Sequence, residues 1–112
     1  MKAHTIIYLK AFGYSVADFV PCELCGKRCV DVHHIHARGM GGSSNEEEYN
    51  KIENLMGLCR EEHIEYGDKS QHMAMLIQKH LEFMEMNGLK IDYGYHDRNN
   101  ASGDESFPEE QL

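Results

Sequence analysis

Cys22 and Cys25 flank a two-residue gap, and Gly26 follows at once in the string CELCGK. Thiolates at that spacing can address one ion, and the glycine permits the tight backbone turn behind them. A closed four-ligand site needs a second pair. Cys59 supplies one member, 34 residues after Cys25, but three residues further on stands Glu62. A structural zinc on Cys22, Cys25 and Cys59 is therefore expected with its fourth ligand open, Cys29 and the Glu62 carboxylate being the substitutes. A redox role for the pair is disfavoured. A redox CxxC sits where a strand feeds a helix in a βαβ unit, and no such pattern surrounds residues 22–25.

The second concentration is of imidazoles. Asp31-Val32-His33-His34-Ile35 follows the cysteine turn, Asn54 comes twenty residues after His34, and His63 nine after that. Hydrolysis of a phosphodiester asks for three things this set can supply. The attacking water must lose a proton, which a neutral imidazole accepts near neutral pH. The departing 3′ oxygen gains negative charge, which a divalent ion offsets. That ion must also reach the scissile phosphate, so the protein must leave coordination positions open. One histidine from an extended segment and one from a facing helix, His63, meet the last requirement. Adjacent residues of a strand project differently, so one of His33 and His34 can hold the ion while the other addresses the phosphate from elsewhere. An asparagine amide both donates and accepts, and can pin the loop carrying the base. His36 stays outside the set. Asp31 is an alternative ligand to His33, less favoured because it lies two residues further back along the strand.

The string CELCG, VDVHHIHARGMGG, NLMGLC, EEH, across residues 20–66, resembles the HNH endonucleases in order and spacing. The flanking YLKAFGYSVADFVP and YGDKSQH segments resemble the small stand-alone members of phages and bacteria. The resemblance implies an α+β fold built on a ββα-metal (His-Me) finger, with flanking N-terminal and C-terminal helices. In that finger a strand, a loop and a second strand pack on one helix with the metal between them. The implied activity is a metal-dependent endodeoxyribonuclease that nicks or cuts DNA. Residue by residue, His34 resembles the general base and Asn54 the asparagine that orders the loop. His33 and His63 resemble the ligands of one catalytic divalent ion (Mg, Mn, Zn or Ni). Zinc-bearing members carry a second CxxC just before the final histidine. This chain reads Cys59-Arg60-Glu61-Glu62-His63, a departure that touches the structural zinc and not the catalytic set. A phage or bacterial protein partner is in keeping with such members, with no choice made among packaging, defence and mobile-element settings.

These side chains must be positioned by four predicted segments. Residues 1–20 form a helix and connector: AHTIIYLKAF at 3–12 fits a helix stopped by Gly13, although Ile6-Ile7 also suits a strand. Residues 21–67 form the nuclease core, with strands over 29–35 and 54–58, a Gly/Ser-rich loop over 38–51 and a helix over 59–66 ended by Gly67. Residues 68–96 carry a helix packed on that core. Asp68 caps it with Gln71 as partner, Gly88 stops it, and Met73, Leu76, Ile77, His80, Leu81 and Met84 recur at helical spacing. The methionines read as adaptable core, and His80 is given no role. Residues 97–112 carry five acids, one base and no periodicity, which reads as a disordered acidic tail.

At 112 residues and 41% hydrophobic, the chain can build one modest core, for which a metal is a useful staple. A net charge of −8 opposes a general basic coat for nucleic acid. No apolar run approaches the about 20 residues that span a bilayer, and no signal peptide opens the chain, so a cytoplasmic location is expected. Local bases nonetheless surround the motif: Lys27, Arg28 and Arg38 flank the cysteine turn and the histidine pair, and Lys51 and Arg60 bracket Asn54. With a divalent ion they could make a positive saddle for a phosphate backbone. Arg38 is favoured among them because Gly39, Gly41 and Gly42 let the backbone come close. No base-reading helix is evident, so DNA binding of low sequence specificity is expected. The competing function is a non-catalytic, zinc-finger-like module that binds DNA or protein. His34, Asn54 and His63 argue against it, since a structural finger has no use for a spare base.

Overall fold

The computed structural model describes residues 1–37 and 46–100. It is a small α+β fold: helix α1 (Ala3–Phe12), strand β1 (Asp31–His34), a short helix α2 (Glu46–Tyr49), strand β2 (Leu55–Leu58), and helices α3 (Arg60–Tyr66), α4 (Met73–Met86) and α5 (Tyr95–Asn100). The two strands pair antiparallel, with His33 opposite Met56 and His34 opposite Leu55. Helix α1 takes the stretch that Ile6-Ile7 also offered to a strand. Gly13 closes it at φ 78°, where its N–H reaches the Lys10 carbonyl.

The pleat decides which side each residue serves. Leu55 and Val32 lie with Tyr8 of α1, while Met56 and Leu58 lie with Cys22, Ile35, Cys59 and Leu76 of α4. All four residues of β2 are buried, because α1 covers one face and the other meets the cysteine turn, Leu76 of α4 and Tyr66 of α3. Gly57 has no room for a side chain: a Cβ there would lie 2.8 Å from the Tyr8 hydroxyl and 3.1 Å from Cys29 Sγ. On β1 the same alternation sends Val32 and His34 towards α1, and Asp31 and His33 towards α3.

Several boundaries differ from the sequence expectation. The strand read over 29–35 is confined to Asp31–His34; Cys29 gives its N–H to the Val20 carbonyl in the cysteine turn, while the Val30 N–H still reaches Leu58 at the end of β2. Asp68 does not cap α4. It turns the chain at φ 61°, a region aspartate tolerates, and a 3₁₀ turn over Ser70–His72 precedes the helix. The face read as core is core: Leu76, His80 and Met84 are buried at successive turns of α4, and Gly88 ends it at φ 75°. Residues 97–100, assigned by composition to the tail, continue α5. They are held there by Arg98, 2.9 Å from Asp92, and by Asn99, which is buried and donates to the Tyr95 carbonyl at 2.8 Å. Residues 101–112 and most of the Gly/Ser-rich loop, 38–45, lie outside the described residues. No helix among the described residues is long and apolar enough to cross a membrane.

Candidate metal centres and cleft

The cysteine turn is built as its spacing requires. Gly26 at φ 81° lets the chain fold back, so that the Cys22 N–H meets the Lys27 carbonyl at 2.6 Å and the Gly26 N–H meets the Cys22 carbonyl at 2.9 Å. Cys59 is the N-cap of α3, and its sulfur accepts the Glu62 N–H at 3.4 Å. The Leu24 N–H likewise donates to Cys22 Sγ at 3.4 Å. The sulfurs of Cys22, Cys25 and Cys59 all lie within 4.8 Å of one another. Burial pushes the Cys59 thiol up to about 11, while the backbone N–H of Lys27 holds the Cys25 thiol below its usual range. A cation at the centre would offset the cost of three adjacent thiolates, and the N–H donors already suit sulfur anions. The trio could hold an ion such as zinc. Neither substitute for a fourth ligand joins it. Cys29 instead donates to the Asp31 carbonyl at 3.2 Å, and burial raises its thiol to about 11. Glu62 contributes its backbone, not its carboxylate, to Cys59.

A second trio lies across β1 and α3. His33, His63 and Asp68 place ligand atoms within 4.8 Å of one another. The His33 and His63 rings are 4.9 Å apart. Asp31 Oδ2 lies 3.1 Å from His63 Nδ1. A carboxylate accepting from Nδ1 fixes the tautomer and presents Nε2, the usual way a ligating histidine is held. Asp31 thus touches His63 and stays outside the trio, and Asp68 is the carboxylate of the trio that the sequence reading missed. Its only sequence signal is the Gly67-Asp68 turn directly after the helix that carries His63. Two nitrogens and one carboxylate suit a borderline divalent ion with positions left open.

Gly67 holds this trio by absence. A Cβ there would overlap the His63 ring and come within 2.6 Å of its carbonyl oxygen. Gly67→Ala should displace the imidazole and weaken ion affinity about 10-fold or more, by analogy with loss of a group that orients a ligand. Isothermal titration with Mn²⁺ or Zn²⁺ checks this, and wild-type affinity would refute it.

Burial, and next the His63 charge, push the His33 imidazole down to about 4, so His33 is neutral at neutral pH, the form a ligand needs. His96 is driven to about 4 as well, again by burial first. Both shifts have one sign. The unfolded imidazoles take up protons near 6.5 and the folded ones only near 4, so stability of the metal-free protein is lost as pH falls through that window. The loss is roughly 2–3 kcal/mol per histidine by pH 4. Urea melts at pH 7, 5.5 and 4 measure it. His33→Gln should flatten the slope, and an unchanged slope in that variant would contradict the assignment.

His34 stands on the other side of the strand, between two rings. Tyr49 stacks on it at 3.8 Å and 3°, and His4 of α1 lies 4.5 Å away. His34 Nε2 is 2.8 Å from Asn50 Oδ1, and Asn50 Nδ2 reaches Glu46 Oε2 at 3.4 Å, which orients the amide with its oxygen towards the ring. Nε2 therefore carries the proton, and the basic lone pair belongs to Nδ1. Asn54, fully buried, grips the segment after β1: its oxygen accepts the His36 N–H at 2.7 Å, and its amide donates to the carbonyls of His36 and Tyr49. The pinning expected of Asn54 thus acts on backbone, while Asn50 touches the imidazole itself.

His33, His34, His63 and Asp68 line one cleft of about 380 Å³. Its described wall also carries Asp31, Glu46 and Lys2, so carboxylates outnumber ammonium groups and the cleft attracts a cation before a phosphate. Lys27, Arg28, Lys51 and Arg60 do not line it. Arg28 packs over the Phe19 ring at 5.4 Å and lines an adjoining groove that shares Lys2 and His4 with the cleft. Arg38 lies outside the described residues.

Glu23 and His80 are the other residues that sequence reasoning passed over. Both side chains are fully buried, with Glu23 Oε1 2.7 Å from His80 Nδ1. Glu23 Oε2 accepts the Tyr8 hydroxyl at 2.6 Å and the Gly57 N–H at 3.2 Å, and His80 Nε2 lies 2.7 Å from the Ile52 carbonyl. Burial beside Glu23 raises the Tyr8 phenol far above its ordinary range, so Tyr8 stays a donor. The residue inside the cysteine turn thereby ties α1, β2 and α4 together.

In comparisons with known proteins, the chain matches no family model, no curated protein and no solved structure.

Proposed function

We propose that this chain is a metal-dependent endonuclease of the HNH type, in which β1, β2 and α3 act as a ββα-metal core and DNA of low sequence specificity is the substrate. The observation that carries the reading is the division of labour across β1. His33 faces His63 and Asp68 in a trio that could hold an ion, while His34, on the opposite side of the same strand, is held in one tautomer by Asn50 and lines the same cleft.

His33, His63 and Asp68 would hold the divalent ion, which when bound supplies positive charge to the scissile phosphate and the departing 3′ oxygen. His34 Nδ1 takes the proton of the attacking water, and the Asn50 oxygen faces the Nε2–H of the imidazolium that results. Tyr49 keeps the ring plane fixed. Lys2 is the cation of the described cleft wall and contacts the phosphate backbone. The excess of carboxylates makes phosphate binding depend on the ion being present.

Supercoiled plasmid incubated with Mg²⁺, Mn²⁺, Zn²⁺ or Ni²⁺ tests the proposal. Nicked or linear product that appears only with a divalent ion supports it. Intact plasmid under all four ions, with DNA binding retained, would replace it by a non-catalytic metal-binding module, a reading favoured by the position of Lys27, Lys51 and Arg60 outside the cleft.

A further inference from the structure

Three buried histidine nitrogens outside the cleft have no hydrogen-bond partner among the described residues. His36 is 2% exposed and neither ring nitrogen makes a hydrogen bond; His96 is 6% exposed and its Nδ1 makes none. The rings lie 4.9 Å apart at 39°. Tyr95 stands beside both, but its hydroxyl donates to the Glu48 carbonyl at 2.8 Å and does not serve them.

The remaining contact of the pair fixes its chemistry. His96 Nε2 lies 2.9 Å from the Glu53 carbonyl oxygen, so Nε2 carries the hydrogen and Nδ1 a buried lone pair. A backbone carbonyl on one imidazole nitrogen, with the other left as a ligand, is how proteins commonly prepare a histidine for a metal. Burial depresses both imidazoles, which keeps the rings neutral and their lone pairs available at neutral pH. Leaving such groups dry and unpaired is costly. Neutral imidazole suits zinc, nickel and copper, and is a poor ligand for magnesium or calcium.

We propose that His36 and His96 form a separate binding site for a zinc-, nickel- or copper-type ion, water completing its coordination, and that the ion fastens α5 to the segment following β1. The attachment matters because the His36 backbone is the stretch Asn54 grips, two residues beyond His34. Helix α5 has six residues, too few to stand alone, so its docking on Glu48 and Glu53 is the contact an ion would reinforce. This site shares no residue with either trio and does not depend on nuclease activity.

The test uses the full chain, stripped of metal and titrated with Ni²⁺ and Zn²⁺ against a chromophoric chelator, beside His36→Gln and His96→Gln. Wild type should bind one equivalent more than either variant, and the Ni²⁺-dependent rise in its melting temperature should be smaller in both. Equal stoichiometry in all three proteins overturns the proposal. If circular dichroism shows that the variants do not fold, long-range ¹⁵N–¹H spectra of wild-type imidazoles decide. A Zn²⁺-dependent shift of the His96 Nδ1 signal supports the site, and an unmoved signal sinks it.

Discussion

Metal-dependent plasmid cleavage by the His34→Ala protein should fall ~10²–10⁴-fold, the usual worth of a general base, with ion affinity and melting temperature near wild type. The separation follows from the strand. Tyr49, His4 and Asn50 are among the neighbours of His34, and none of them belongs to the candidate metal trio. Removing it takes away the proton acceptor and leaves His33, His63 and Asp68 in place. Asn50→Ala should cost less, since the ring stays stacked on Tyr49 and loses only the bond that selects its tautomer. Gel-based nicking rates over a pH series, with parallel calorimetry, measure both. Full activity in His34→Ala would remove the residue from the mechanism, and collapse of the fold would make it structural.

The second large effect is on stability. Glu23→Ala or His80→Ala should each cost ~3–5 kcal/mol, because each leaves the other partner buried without its counterpart. For a domain whose whole stability is of the order of 5–15 kcal/mol, such a loss brings the chain close to unfolding. Glu23→Ala is the harsher of the two, since it also strands the Tyr8 hydroxyl and the Gly57 N–H. The double variant should cost less than the sum, as expected for partners in direct contact. Urea denaturation gives the four corners of the cycle. Additive losses, or single losses under ~1 kcal/mol, would mean that the pair is not the clasp its burial makes it.

What the sequence revealed and what it concealed divide along chain distance. CxxCG, the histidine pair and the Gly13 and Gly88 helix stops are local patterns, and each is found where its spacing put it. Asp68 was misread because a residue before a helix looks like a cap, whereas the left-handed turn at φ 61° is fixed by tertiary contacts. Glu23 and His80 are 57 residues apart, and His36 and His96 belong to segments with no common pattern. No period in a sequence encodes such pairs. Asn54 was legible from its place between the histidine pair and His63, while Asn50, with Glu46 as its partner, sat in a stretch read as a Gly/Ser-rich loop.

The alternation along β1 has a consequence for how this chain can vary. A strand shifted by a single position against its neighbour turns every side chain to the opposite surface. In Asp31–His34 that slip would turn His34 towards His63 and Asp68 and His33 towards Tyr49 and His4, exchanging the two roles proposed for them. Insertions between the two strands can be absorbed without harm only where they leave the pairing of His33 with Met56 untouched, so chemical identity here is a matter of parity.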